Sequence, residues 1–360
     1  MEYENPGSRT RELFSALVDN PGRANLVRGI RLSVANALDS DLVILARLLS
    51  HLKHLESIRI SWNHSSLVDG GEGLVKMISK HQPRLRSLTL PDVGLDYAAL
   101  NAILSNLNEL ENYKGILPSP PQSESDPPFP NLSCKFRKLV LLRPRSDCFK
   151  QVTRLSHASL TSLEFSLPGG DAGFDLANFP NLFNLRLELE ASYSYAPPDP
   201  NLTRLLQFAS DDEDAVQIRR DYYAEGVRRI LLSARNVKNL TLSTRNGRNG
   251  RVIFDWFFEK LFDVLPPALV QFSSVPLFLE ADHVNRRLLY KAIRSRSLPH
   301  LRRIIVIPRC TREAGRRRQI VVIGDLERVC ASFGIAIERS GPVGAYVHTR
   351  RRSYSSEEDS

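Results

Sequence analysis

The chain has 360 residues, of which 42% are hydrophobic and 25% are charged. This is the composition of an ordinary soluble protein, and no apolar run approaches the length that a membrane-spanning helix needs. The sequence opens on a polar, acidic stretch rather than on a secretory signal, so we expect an intracellular protein, cytoplasmic or nuclear, whose four cysteines are reduced.

The formal net charge of +9 is concentrated near the C-terminal end. Residues 281–320, which we call the basic window, carry twelve Lys or Arg and two acids, Asp282 and Glu313. This makes +10 for the window and leaves about −1 for the rest of the chain. Any function that depends on this positive charge is therefore expected in the basic window.

One apolar pattern, L-x-x-L-x-L, recurs from one end of the chain to the other and is clearest in Leu85-Arg-Ser-Leu88-Thr-Leu90. Alternate side chains of a strand point to opposite faces, so the last two apolar residues of each copy point inward together. The first apolar residue of each copy lies just before the strand and is buried on the same side of the sheet. The central residues of the copies are Ile30, Ile58, Leu88, Tyr113, Leu139, Leu163, Leu185, Leu240, Phe272 and Ile304.

The spacing of these copies predicts how they pack. One copy cannot bury its own apolar face, so successive copies must stack, with parallel strands joined by mainly helical crossovers. The steps between central residues range from 22 to 32, except for a step of 55 between Leu185 and Leu240, which we interpret as an enlarged crossover. We predict an α/β leucine-rich-repeat solenoid of about 10–11 diverged repeats, with a curved parallel sheet on the concave side and helices on the convex side.

In chain order, residues 1–26 form a capping segment with one amphipathic helix, whose Phe14 and Leu17 cover the open end of the core. The solenoid occupies residues 27–340, with insertions at 117–131 and 191–235, and residues 341–360 form a disordered tail. A closing strand is expected at 335–337. Crossover helices are expected from Asp39 or Asp41 to Leu49, from Tyr97 to Leu107, from about Asp211 to Ser233, from Phe254 to Leu265 and from His283 to Ser295.

The first repeat carries a resemblance to a known family. A helix that ends in Asn20-Pro21 is followed by Leu26-Val-Arg-Gly-Ile-Arg-Leu32, which resembles the segment just after the F-box in fungal F-box/leucine-rich-repeat proteins. The pattern from Leu326 to Ile335 is similar too, and the resemblance covers nearly the whole chain. It implies a non-catalytic scaffold for protein–protein interaction, related to the substrate receptors of cullin-type ubiquitin ligases.

An F-box itself is not recognisable. It would open on a helix with a Leu-Pro-x-Glu-like motif, and the 26 residues before the first strand contain one short helix and no such motif. We therefore expect no direct binding to the ubiquitin-ligase adaptor.

No residue constellation for catalysis is found. The eight histidines fall at unrelated positions, and His51 and His54 lack a Cys or a carboxylate at metal-ligand spacing. The glycine-rich stretches at 169–173 and 247–250 lack the spacing of phosphate-binding loops. We predict that the protein is not an enzyme and has no cofactor and no metal.

Side chains between the inward residues are predicted to line the concave face, where solenoids usually bind their partners. A solvated sheet, whose polar residues only keep the face soluble, is the alternative. We expect a monomer that binds a protein partner of unknown identity, and Glu164 should neighbour Arg186 across two strands. The candidate contact residues are Arg31, Arg59, Lys114, Glu164 and Arg186.

The alternative function is that of a scaffold that binds nucleic acid or another anion through the basic window. Its candidate residues are Arg286, Arg287, Arg302, Arg303, Arg316, Arg317 and Arg318. The window contains a single aromatic residue, Tyr290, which disfavours binding of single-stranded nucleic acid by base stacking.

In the tail, Ser353 follows a basic triplet while Ser355 and Ser356 precede acids, so all three are candidate phosphorylation sites.

Overall fold

Eleven strands form a single open sheet in the computed structural model. Each strand pairs in parallel with the strand that follows it in the chain, so the order across the sheet is the order along the sequence. The strands are β1 (Gly29–Val34), β2 (Ser57–Trp62), β3 (Ser87–Thr89), β4 (Asn112–Ile116), β5 (Lys138–Leu142), β6 (Ser162–Leu167), β7 (Asn184–Leu189), β8 (Asn239–Thr244), β9 (Gln271–Ser274), β10 (Arg303–Val306) and β11 (Ala336–Arg339).

Helices occur before and between the strands. Those with described bounds are α1 (Ser8–Asp19), α2 (Pro21–Ala24), α3 (Ser146–Thr153), α4 (His283–Arg294) and α5 (Gly324–Ser332), with further helical residues at 47–51, 104–106 and 224–233. The structure describes residues 8–34, 47–62, 78, 80, 82, 84–90, 104–116, 134–142, 144, 146–167, 173–189, 224–244, 263–274, 283–306 and 324–339. The predicted insertion at 117–131, the first part of the insertion at 191–235 and the tail at 341–360 lie outside these residues.

The register of the sheet aligns the predicted central residues in one row, which we call the central row. Ile30 pairs with Ile58 and Ile58 with Leu88, and the row continues through Tyr113, Leu139, Leu163, Leu185, Leu240, Phe272 and Ile304 to Ile337. All its members except Ile337 are buried. The predicted strand positions and the α/β class with a parallel sheet are therefore confirmed.

A second set of buried residues lies just before the strands. It contains the first apolar residue of every copy but the first, in which Val27 is only partly buried. Leu55, Leu110 and Leu182, for example, are each at most 2% exposed. One backbone turn places them: the N–H group of Leu55 donates to the carbonyl of Leu52 at 3.3 Å, and that of Leu182 donates to Phe179 at 3.1 Å. Because this turn recurs before most strands, the crossovers enter the sheet at the same register.

The helix α1 contributes two buried residues to the apolar core. Phe14 and Leu17 are 9% and 8% exposed and share one apolar core with Ile30. The short helix α2, which the sequence pattern misses, begins directly after α1. Its N-terminus is capped by Asn20, whose Oδ1 accepts a hydrogen bond from the N–H group of Arg23 at 3.1 Å.

The crossovers differ from one another in length and in helix content more than the strands do. β7 pairs directly with β8, although their central residues Leu185 and Leu240 are 55 residues apart. Residues 190–223 of this step lie outside the described residues, so its interpretation as an enlarged crossover stays a prediction. α3 is not predicted, since an eight-residue helix is too short to show helical periodicity. Between β6 and β7, by contrast, the described residues 173–183 form turns and no helix.

The strand β4 departs from the apolar pattern at two positions, where a large and a small residue compensate for each other in volume. β4 carries Tyr113 in the central row, and its Gly115 pairs with Leu141 of β5. A Cβ atom placed on Gly115 would lie 2.5 Å from Oη of Tyr113 and 2.9 Å from its Cζ. The tyrosine ring therefore occupies the space of the missing side chain, and this burial raises the pKa of its phenol.

Gly115→Ala should destabilise the protein, because the new methyl group would overlap with the buried ring of Tyr113. We expect a loss of about 1–3 kcal/mol in the free energy of unfolding, the usual cost of overpacking a core. In a Tyr113→Leu background the same change should cost less, because the ring is gone. Urea unfolding of both single variants and the double variant measures this coupling. Purely additive effects would contradict the shared space.

Candidate functional site

The face of the sheet opposite the apolar core, which we call the open face, carries the predicted contact residues. One of its rows follows the central row by one position and runs through Arg31, Arg59, Thr89, Lys114, Val140, Glu164, Arg186, Thr241, Ser273, Ile305 and Glu338. The register thus brings all five predicted contact residues into a single row. Arg186 is exposed, and the other four are partly exposed.

A second row of the open face precedes the central row by one position and is not among the predicted contact residues. It is mostly polar and consists of Gly29, Ser57, Ser87, Asn112, Lys138, Ser162, Asn184, Asn239, Gln271, Arg303 and Ala336. Neighbouring amides interact across strands, since Nδ2 of Asn239 donates to Oδ1 of Asn184 at 2.7 Å. The sequence signal for this row is the polar residue that directly precedes most of the central residues.

Opposite charges are paired on the open face of β6–β11. Oε1 of Glu164 lies 3.5 Å from Nε of Arg186, which confirms the predicted cross-strand contact. Nε of Arg303 lies 2.9 Å from Oε1 of Glu338 on the last strand. All four side chains are partly exposed, so each pair contributes roughly 0–1 kcal/mol to stability. Their main effect is to neutralise the local charge.

The open face of β1–β5 has a different charge balance. Its two rows carry four cations and, within the described strands, no acidic residue; the cations are Arg31, Arg59, Lys114 and Lys138. Arg31 and Arg59 are direct neighbours in the register. We call this surface the basic half.

A further set of charges, also not predicted from the sequence, lies at the edge where the strands begin. Nε of Arg28 lies 3.8 Å from Oε1 of Glu56, and Nε of Arg137 lies 3.8 Å from Oε2 of Glu111. Together with Arg86, these residues occupy the position two before the central row, and their signs alternate over β1–β5. The alternation largely neutralises this edge.

The predicted residues of the basic window are divided between two surfaces. On α4, Leu289 and Ile293 are buried, as the predicted inward stripe requires. Arg302 lies at the edge where β10 begins and donates to two backbone carbonyls at 3.2 Å, whereas Arg303 belongs to the open face. Outside the described part lie the side chains of Arg286 and Arg287 and all of Arg316, Arg317, Arg318, Ser353, Ser355 and Ser356.

The described residues give no support to a catalytic or metal centre. Among them, no group of three or more His, Cys, Asp or Glu residues could hold a metal ion. Cys134, Cys148 and Cys330 are buried free thiols, and burial raises the pKa of Cys134 and of Cys330 to about 11.

Among the described residues, no helix has the length and apolarity to cross a membrane. No protein-family model and no curated protein matches the chain.

Cys134 and Cys330 should react slowly with iodoacetamide at about pH 8, because only the thiolate is nucleophilic and pKa values of about 11 keep both protonated. Their ordinary pKa is 9.0, so the folded state favours the protonated thiols. This stabilisation is present below pH 9.0 and is lost as the pH rises through about 11.

Mass spectrometry of alkylated peptides gives the rate at each cysteine, with urea-unfolded protein as the control. Equal rates in the folded and the unfolded chain would contradict the burial of these thiols.

Proposed function

We propose that the protein is a non-catalytic scaffold of the leucine-rich-repeat type that binds a protein partner on the open face of its sheet. The observation that carries this proposal is the common register of eleven strands, which aligns the central row and both open-face rows from end to end. Stacked repeats produce such rows because each repeat contacts only its neighbours. A face built from successive repeats offers a partner a broad surface with side chains at regular intervals.

We propose an acidic surface as the region of the partner that contacts the basic half. Neighbouring strands lie about 4.8 Å apart, so the side chains of Arg31 and Arg59 extend from adjacent positions. Lys114 and Lys138 continue the positive surface on β4 and β5. Carboxylates of a partner would complement the charge of these four side chains, all of which are at least partly exposed, and this favours both the rate and the specificity of association.

We further propose that the repeats are related to those of fungal F-box/leucine-rich-repeat proteins, which act as substrate receptors of ubiquitin ligases. Adaptor binding is not assigned to α1, because Phe14 and Leu17 are buried in the core. A helix whose apolar residues are packed in the core cannot present the same residues to an adaptor. The proposal therefore concerns recognition by the sheet alone.

The variant Arg59→Glu/Lys114→Glu should lose the partner, because it reverses two charges of the basic half. Affinity purification with the full chain as bait and quantitative mass spectrometry should recover proteins that are retained by the wild type and depleted with this variant. The interaction should also weaken at high salt, which screens exposed charges. Thermal unfolding checks that the variant is folded.

The matched control is Lys291→Glu/Arg294→Glu, an equal charge reversal at exposed residues of α4. It should retain the partner. Equal recovery of the partner with both variants would show that the basic half is not the binding surface. Nuclease-sensitive nucleic acid that is lost only with the α4 variant would instead support an anion-binding scaffold that uses the basic window.

A further inference from the structure

The shortest crossover leaves a gap between two helical ones. β6 ends at Leu167 and β7 begins at Asn184, so sixteen residues, 168–183, connect them. The described part of this crossover, 173–183, is made of turns. The crossover before it contains α3, and the one after it contains the helical residues 224–233. Beside these helical residues, the thin turn segment leaves room for a cavity.

This cavity has a volume of about 470 Å³ and lies between the turn segment and the C-terminal end of the 224–233 helix. The buried side chains of Leu176, Phe179 and Leu182 line it on the side of the turn segment. Leu232 borders it and is 50% exposed, which makes it one of the few large apolar side chains exposed in the described part of the chain. The volume lies within the range of about 300–1,000 Å³ that is usual for ligand sites.

The walls of the cavity are held by specific contacts. The N–H group of Leu176 donates to Oγ of Ser233 at 2.9 Å, and this hydroxyl donates to the carbonyl of Ile230 at 2.8 Å. The ring of Phe179 packs against Phe149, with centroids 5.8 Å apart, and meets the edge of His157 at 5.1 Å. The cavity is therefore formed before any ligand binds, which lowers the entropic cost of binding.

The ionisable groups that line the cavity are both cationic. Arg229 lies 3.0 Å from Glu225, so its charge is partly compensated. Arg235 is exposed and lies in the turn that follows the helix. An occupant with an apolar group for the buried wall and a negative charge for Arg235 would match both features. Because the apolar surface continues outward to Leu232, the occupant must cover a surface as well as fill a pocket.

We propose that this cavity binds a peptide of a partner protein in which a large apolar side chain stands next to an acidic residue. The apolar side chain contacts Leu176 and Phe179 and covers Leu232, and the carboxylate pairs with Arg235. Buried apolar anchors flanked by charged contacts are a common mode of peptide recognition. The site does not involve the open face, so it is independent of the interaction proposed there.

Fluorescence anisotropy with the full chain tests this proposal. The probes are labelled hexapeptides that carry Phe, Leu or Trp beside Asp or Glu, together with the same peptides carrying Lys in place of the acid. We expect saturable binding of members of the acidic set and at least about tenfold weaker binding of their Lys counterparts. Arg235→Glu should remove this preference, and Leu232→Asp should abolish binding.

Leu155→Asp is the matched control, because Leu155 is 49% exposed and does not line the cavity. This variant should bind as the wild type does, and thermal unfolding verifies the fold of each variant. The proposal is overturned if no acidic peptide binds saturably, if Leu155→Asp loses binding as Leu232→Asp does, or if the Lys peptides bind equally well.

Discussion

The structure depends on the stacking of the central row, from Ile30 to Ile337, in a single register. A unit of one strand and one crossover cannot bury its own apolar face, so the stability of each unit comes from its two neighbours. Backbone hydrogen bonds follow the same rule: the carbonyl of Arg28 accepts from the N–H groups of both Glu56 and Ser57, and equivalent bonds join the later strands. This constraint fixes the positions of both open-face rows.

Because the row fixes the strands, variation is tolerated in the crossovers. The step from Leu163 to Leu185 is 22 residues and the next step is 55, yet β6, β7 and β8 remain in register. A longer loop costs little extra closure entropy, which explains this tolerance. Variation of this kind creates local surfaces on a constant scaffold, and the cavity beside the 224–233 helix arises where the shortest crossover meets the longest one.

The apolar pattern predicts every strand, including β4, where Tyr113 replaces an aliphatic residue. This is possible because the alternation of buried and exposed residues along a strand is visible within a few consecutive residues. It also predicts the Glu164–Arg186 pair, since both residues hold the same position in adjacent copies. The Arg303–Glu338 pair is missed because Glu338 lies beyond the recognised end of the last copy. The cavity cannot be predicted, because it depends on a contact between Leu176 and Ser233, fifty-seven residues apart.

Disulfide trapping across β7 and β8 tests the register most directly, because these strands are the farthest apart in sequence of any adjacent pair. Arg186 and Thr241 are register partners on the open face, within the Cα separation of about 4.4–6.8 Å that a disulfide spans. Arg186→Cys/Thr241→Cys should form a 186–241 disulfide on mild oxidation, seen by peptide mapping without reduction. Arg186→Cys/Ile305→Cys, three strands apart, should not cross-link. Failure of the first pair, or efficient cross-linking of the second, would contradict the stacked register.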